Sequence, residues 1–151
     1  MKKYLLSFIY SLFLVISSCS DNDGNTEAKT PIIVLQIGKG NLVGNNVPQQ
    51  NMVITTSAQW NTLLTTLDSV NNTSGSFTET NIDFNQFMII AVFDQVFPNG
   101  GHSIDIITVD DNPQNITVDL ERLLTGNVTS VVTQPYHIVK IPKSTKPVVF
   151  Q

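Results

Sequence analysis

The chain reads as an α+β domain, a mostly antiparallel β-sheet with one main helix near the domain start. Three observations predict it. Within TTSAQWNTLLTTLDSV, the residues Trp60, Leu63, Leu64, Leu67 and Val70 recur at the helical period. The stretch FNQFMIIAVFDQVF has the unbroken apolar character of a strand buried on both faces, and it is short enough to favour strand over helix. From there to the terminal PVVF, short extended runs alternate with turn residues.

Residues 1–18 read as a secretory signal. Lys2 and Lys3 precede a mostly apolar run of 13 residues, Tyr4 to Ile16, followed by small residues. That run is short of the roughly 20 residues a spanning helix needs. Cys19 is the only cysteine, so no intrachain disulfide can form. The stretch ISSC resembles the lipobox of bacterial lipoproteins, in which the cysteine is acylated and becomes the first residue of the mature chain. It has Ile16 where Leu is commonest and Ser18 where Gly or Ala is commonest. The alternative, an ordinary signal with a free thiol, leaves a reactive group exposed outside the cell. Lipidation of Cys19 implies an outer-membrane lipoprotein.

Residues 19–30 contain SDNDGNTEAKT, with three acids and no large apolar residue. Such a stretch buries too little surface to offset its ordering entropy, and it reads as a flexible acidic tether. Ser20-Asp21-Asn22-Asp23 also resembles a short signal that sends some Gram-negative lipoproteins to the cell surface. Removing residues 1–18 takes Lys2 and Lys3 from the 8 basic residues, so six face 12 acidic ones, a net charge of −6. Six scattered cations exclude nucleic acid as a partner, because phosphate binding rests on clustered Lys and Arg. Residues 31–151 number 121, suited to a single domain with one core. It is expected to be monomeric, with no metal or cofactor.

Pro31 opens IIVLQIG, a strand by its β-branched content, which Gly38, Gly40 and Gly44 are expected to break into turns. The helix follows, with Thr56 or Ser57 as N-cap; its many Thr residues leave it dependent on packing. Asp68-Ser69-Val70 resembles a short O-glycosylation signal at Ser69, ahead of the polar connection NNTSGSFTET. After the central strand, Pro98-Asn99-Gly100-Gly101 is a tight-turn signal between two strand-like runs. Asn-Gly accepts the positive φ such turns demand, and the second glycine points to a bulge or close backbone approach. In HSIDIITVDD, Ile104 and Ile106 share one face and Ser103, Asp105 and Ile107 the other, so the strand is expected to be covered on one side only. Thr125-Gly126-Asn127 then reads as a hairpin turn, with a short helix over DLERLL stopped by Gly126 as the competing reading.

Several of these stretches together resemble the domain family named for PrcB, the accessory lipoprotein of a surface protease complex. They are Pro98 to Ile106, Gln134 to Lys143, Pro147 to Phe150, and the early helix SAQWNTLL with Trp60. The likeness covers roughly residues 50 to 151. It implies a non-catalytic, envelope-anchored domain that binds another envelope or surface protein, a protease among the candidates. No catalytic residue carries over.

The residues themselves leave a hydrolase, a metal site and a binding rim to weigh. Ser103 combined with a histidine and Asp94 or Asp105 has the residue types of a hydrolase. His102 and Ser103 are adjacent on a strand and point to opposite faces, however, so His137 would have to serve as base, and no nucleophile elbow is present. His102 and His137 with one Asp make a thin metal site. Both histidines are expected on an exposed face or edge. Phe97, Asn99, Gly100, Gly101, His102, Tyr136 and His137 form a candidate binding rim, suited to a protein partner or to a glycan or other small ligand. A protease inhibitor is the further alternative.

Overall fold

The open hydrogen-bonding groups of the extended apolar runs are met by pairing them into two four-stranded sheets. The computed structural model describes residues 29–44 and 47–151. The signal segment, Cys19 and the tether up to residue 28 lie outside the described residues. In chain order the elements are β1 (Thr30–Pro31), β2 (Leu35–Leu42), β3 (Gln50–Ile54), α1 (Ser57–Leu67), β4 (Phe87–Phe93), β5 (Asp105–Asp111), β6 (Ile116–Glu121), β7 (Gln134–Pro142) and β8 (Val148–Phe150). A 3₁₀ turn at Ser74–Ser76 lies between α1 and β4. One sheet has the order β2-β7-β4-β3 and the other β1-β5-β6-β8. Among the described residues every strand pairing is antiparallel except that of β6 with β8. The domain is therefore α+β and β-rich, with its helix early.

β4 and β7 are buried on both faces. On one face Met88, Ile90 and Val92 with Val139 and Ile141 meet Ile106, Val109, Ile116 and Val118 of the other sheet. On the opposite face Ile89, Ala91, Phe93, Tyr136 and Ile138 pack against Trp60, Leu63 and Leu67 of α1. Apolar side chains thus form two cores, one on each side of a single sheet, where one core was expected. The layers run helix, sheet, sheet. Thr56 caps α1, its Oγ1 accepting from the Gln59 N–H at 3.3 Å. The hydroxyls of Thr62, Thr65 and Thr66 donate to carbonyls four residues back, so the threonines satisfy themselves on the exposed face. Val70, counted in the apolar stripe, lies past the helix and is exposed. Ser69 is exposed too, its Oγ donating to the Thr66 carbonyl.

Three expectations need correction. Gly38 and Gly40 lie inside β2 and do not end it. Gly38 lies under an aromatic ring, where a Cβ would sit 2.5 Å from Phe77, while a Cβ on Gly40 would make only an ordinary 3.6 Å contact with Tyr136. Gly44, at φ 77°, does make a turn. Second, the Asn-Gly and Thr-Gly-Asn turns do not close hairpins. The first connects β4 to β5 and the second connects β6 to β7, and each pair lies in different sheets. Residues 122–124 are not helical either, since neighbouring strands and the facing connection take their hydrogen bonds. Third, the Ser103 and Asp105 side of β5 is buried, because Lys39 and the segment after β6 cover it. A register shift between Ile106 and Thr108 marks a β-bulge that turns Ile107 outward. Strand β3, which the sequence reading did not identify, forms the edge beside β4.

Gly38→Ala should lower stability by about 1–2 kcal/mol, the usual range for overpacking, as measured by urea denaturation. Phe77→Leu in the same background should recover part of the loss, and an unchanged midpoint in the single variant would refute the packing account.

Candidate functional site

At one end of the sandwich two connections cross between the sheets. Residues 94–104 carry the chain from β4 to β5, and residues 122–133 carry it from β6 to β7. Each runs in the opposite sense to the other, so their backbones pair. Phe97 and Thr133 exchange both bonds, at 2.8 and 3.0 Å. Gly100 N–H donates to Thr129 O at 3.2 Å, Asn127 N–H to Gly100 O at 2.8 Å, and Gly126 N–H to Gly101 O at 3.1 Å. Ser103 N–H donates to Leu124 O. Two glycines in the left-handed region, Gly101 at φ 76° and Gly126 at φ 105°, face one another in this ladder and let both chains turn. Asn99 ties it from the side, its Nδ2 donating to Asn127 O and its carbonyl accepting from Thr133 Oγ1, both at 2.8 Å.

On the outer side of this platform the half-buried His102 ring stacks on Phe97, with centroids 3.7 Å apart and planes 8° apart. Its Nε2 lies 3.1 Å from Asn99 Oδ1. Gly126 lies beneath the imidazole, where any Cβ would collide with it. An open depression of about 360 Å³ is lined by Gln95, Phe97, His102, Arg122 and Thr125. Beyond Arg122 a second one of about 320 Å³ opens between the sheets, lined among others by Gln49, Asn51, Glu121 and Gln151.

Phe97, Asn99, Gly100, Gly101 and His102 are therefore brought together as expected of a rim. Tyr136 and His137 are not part of it. As neighbours on a strand buried on both faces, they point into opposite cores. Tyr136 packs among Phe77 and Phe93, and burial pushes its phenol up. His137 faces the other sheet, where its Nδ1 accepts the Ile106 N–H at 3.0 Å. It is buried, not on the exposed face or edge expected. Burial, reinforced by the Lys39 ammonium and opposed by Asp105, lowers its pKa from 6.5 to about 4.

The hydrolase constellation is spatially close but connected otherwise. Ser103 Oγ donates to Asp105 Oδ2 at 2.5 Å and accepts the Leu124 N–H at 3.0 Å, while His102 Nε2 bonds Asn99. Asp105 also accepts from Lys39 and from the Leu123 N–H. Burial raises its pKa, yet the Lys39, Ser103 and Leu123 contacts outweigh that and hold it below the usual carboxylate range. Asp94 is buried behind the platform. Burial again opposes its ionisation, and Arg122 prevails through a bidentate pair at 2.6 and 2.7 Å, so the carboxyl stays low. The sequence reading missed Gln134, Lys39 and Arg122. Gln134 is buried, its amide bonding Val47 on both its N–H and C=O sides and also the Asp94 carbonyl. Among the described residues no group of three or more His, Cys, Asp or Glu is placed to hold a metal ion. No family model matches the chain, and no curated protein or solved structure matches it. The reading of this end rests on its geometry.

Two outcomes follow for this end. Gly101→Val and Gly126→Val should each cost about 1–3 kcal/mol, since a β-branched residue is strained at those φ values; denaturant midpoints equal to wild type would overturn this. For His137, the folded chain titrates near 4 and the unfolded chain near 6.5, so between those values the unfolded state binds the extra proton. The stabilisation is complete above pH 6.5 and is lost as pH falls toward 4, on the order of 3 kcal/mol in all. The carboxylates Asp94 and Asp105 lose theirs only below their ordinary 3.8. His137→Asn keeps an acceptor for Ile106 and should flatten the slope of stability against pH between 4.5 and 6.5, read by urea titrations at stepped pH.

Proposed function

We propose that this chain is a lipid-anchored envelope protein whose loop end binds another protein without chemistry of its own. The observation that carries the reading is the exposed apolar surface of the platform. Leu123, Leu124, Val128, Val131 and Val132 all project from the 122–133 connection, and Val128 is fully open at 101%. Beside them Val43 and Val96 join Val131 and Val132 around a depression of about 170 Å³. Apolar side chains grouped on a backbone held by paired hydrogen bonds suit a protein partner, because little ordering entropy remains to be lost on binding. The bonding of Ser103 favours a structural over a nucleophilic role. The likeness of residues 98–106 and 134–143 to the PrcB family agrees with an accessory subunit, with a protease as one class of partner.

The chain enters the described fold at Lys29 and Thr30, and β1 pairs with Asp110 and Asp111 at the far end of β5. If Cys19 carries lipid, the loop end faces away from the membrane. A second reading, a small-ligand or glycan module, is favoured by the depression beside Phe97 and Arg122 with its polar Gln95 and Thr125.

Cys19→Ala should shift the full chain from the detergent phase to the soluble fraction, and retention of the variant with membranes would sink the anchor. Capture from the native envelope should return a defined protein with wild type and at least tenfold less with Val131→Asp plus Val132→Asp at unchanged melting temperature. Equal recovery by both, or recovery only of glycan, would overturn protein binding at the valine surface.

A further inference from the structure

The end opposite the loops carries its own exposed apolar side chains. Residues 32–35 cross from the sheet of β1 to that of β2 in extended form, and Ile32 and Val34 pack into the core between the sheets. The alternate residues point outward: Ile33 is 78% exposed and Leu35 47%. Next to them lies an open depression of about 370 Å³, lined by Ile32, Ile33, Ile116, Pro142, Lys143 and Ser144 among others. Of the carboxylates at this end, Asp110 pairs with Lys29 at 2.7 Å and Asp111 with Lys146 at 2.6 Å, while the exposed Asp83 bonds Asn85 and Gln86. Lys143 turns its Nζ to the Phe84 carbonyl. Pairing of Asp110 and Asp111 lessens the repulsion that an anionic surface would exert on this apolar ledge.

Chain length decides what can cover this ledge. Ten residue steps separate Cys19 from Lys29, a reach of at most about 35 Å when extended and roughly 15–20 Å as a flexible coil. With lipid on Cys19, the first exposed apolar residues of the fold lie only a few positions further along the chain. The bilayer surface is then present at high effective concentration, and no other surface is bound to the chain so closely.

We propose that Ile33 and Leu35 seat the domain on the bilayer at its interface, fixing the loop end outward. The inference rests on the lipid-anchor reading of Cys19. Its occupant is a lipid surface, bound by shallow insertion of two aliphatic side chains beside Lys29 and Lys143, with no single headgroup selected.

The test uses the acylated full chain on vesicles of equimolar phosphatidylethanolamine and phosphatidylglycerol. Cys19 is the only native cysteine and is blocked by its lipid, so Ile33→Cys, Leu35→Cys and Val128→Cys can each be labelled singly with an environment-sensitive dye. Dye at 33 and 35 should shift to the blue and lose most of its emission to spin-labelled lipids, while dye at 128 should stay aqueous and unquenched. Trp60 emission, buried in the helix core, checks that each variant is folded. If the chain floats with vesicles but dye at 33 and 35 behaves as it does at 128, the seating is wrong and the anchor stands. If the chain does not float, the anchor reading fails and the seating falls with it.

Discussion

The central pair β4 and β7 sets the terms for every other element. Because each strand is apolar on both faces, their sheet needs a cover on each side. The helix supplies one cover and the second sheet the other. The chain must then leave the central sheet and return to it, which it does at one end through the two crossing connections. Long-range pairings such as Ile90 with Val139 and Ile89 with Lys140 hold the arrangement in register. A one-residue slip would exchange the two cores' side chains and point Lys140, now stacked on Phe87 and paired with Glu79, into the space between the sheets.

Polar links between the sheets gather at the loop end for the same reason. The space between two sheets is dry in the middle, where Ile90, Val118 and Val139 meet, and only its ends tolerate charge. There Lys39 meets Asp105, Arg122 meets Asp94, and His137 meets the Ile106 N–H beside the bulge. Pairs like these contribute little net stability, since desolvation offsets attraction, but losing one partner strands a buried group. Their effect is to fix how the two sheets face each other. The platform of Gly101 and Gly126 inherits its rigidity from that registration.

Much of this was legible in the sequence where the signal was local. The three-four spacing of Trp60, Leu63 and Leu67 and the capping Thr56 are properties of one helix, and they hold. The apolar continuity of β4 announced a strand covered twice, whereas the positive φ expected of the Asn-Gly pair is absent from Asn99 and Gly100 and falls instead on the second glycine, Gly101. What failed depended on distant residues. A turn signal specifies backbone angles but not which sheet receives the next strand, so two crossings read as hairpins. Gly38 answers to Phe77, which is remote in sequence. Tyr136 and His137 read as a rim because an aromatic ring beside a polar one suits a ligand, whereas β7 is central and buries both faces. His102 was grouped correctly with Phe97 yet is half-buried in their stack, which no local pattern encodes. The edge strand β3 has Asn51 outward and mixed burial elsewhere, too weak an alternation to stand out.

The surfaces left for recognition follow from what the layers already use. The helix covers one face of the central sheet and the second sheet covers the other. The outer face of the second sheet carries Thr108 and Asp119 bonded to each other at 2.5 Å, with Ile107 and Val149 as its exposed apolar residues. Most of the apolar exposure lies at the two ends, roughly 30 Å apart by the rise of a nine-residue strand such as β7. At one end it sits on the crossing into β2, close to where the tether joins. At the other it sits on connections that pair with each other at Phe97 and Thr133, Gly100 and Asn127, and Gly101 and Gly126, with Val128, Val131 and Val132 exposed between or beside those pairings. Two opposed apolar ends on one two-sheet body give the molecule a direction, and the proposed acyl anchor, joined near one end, would orient the other.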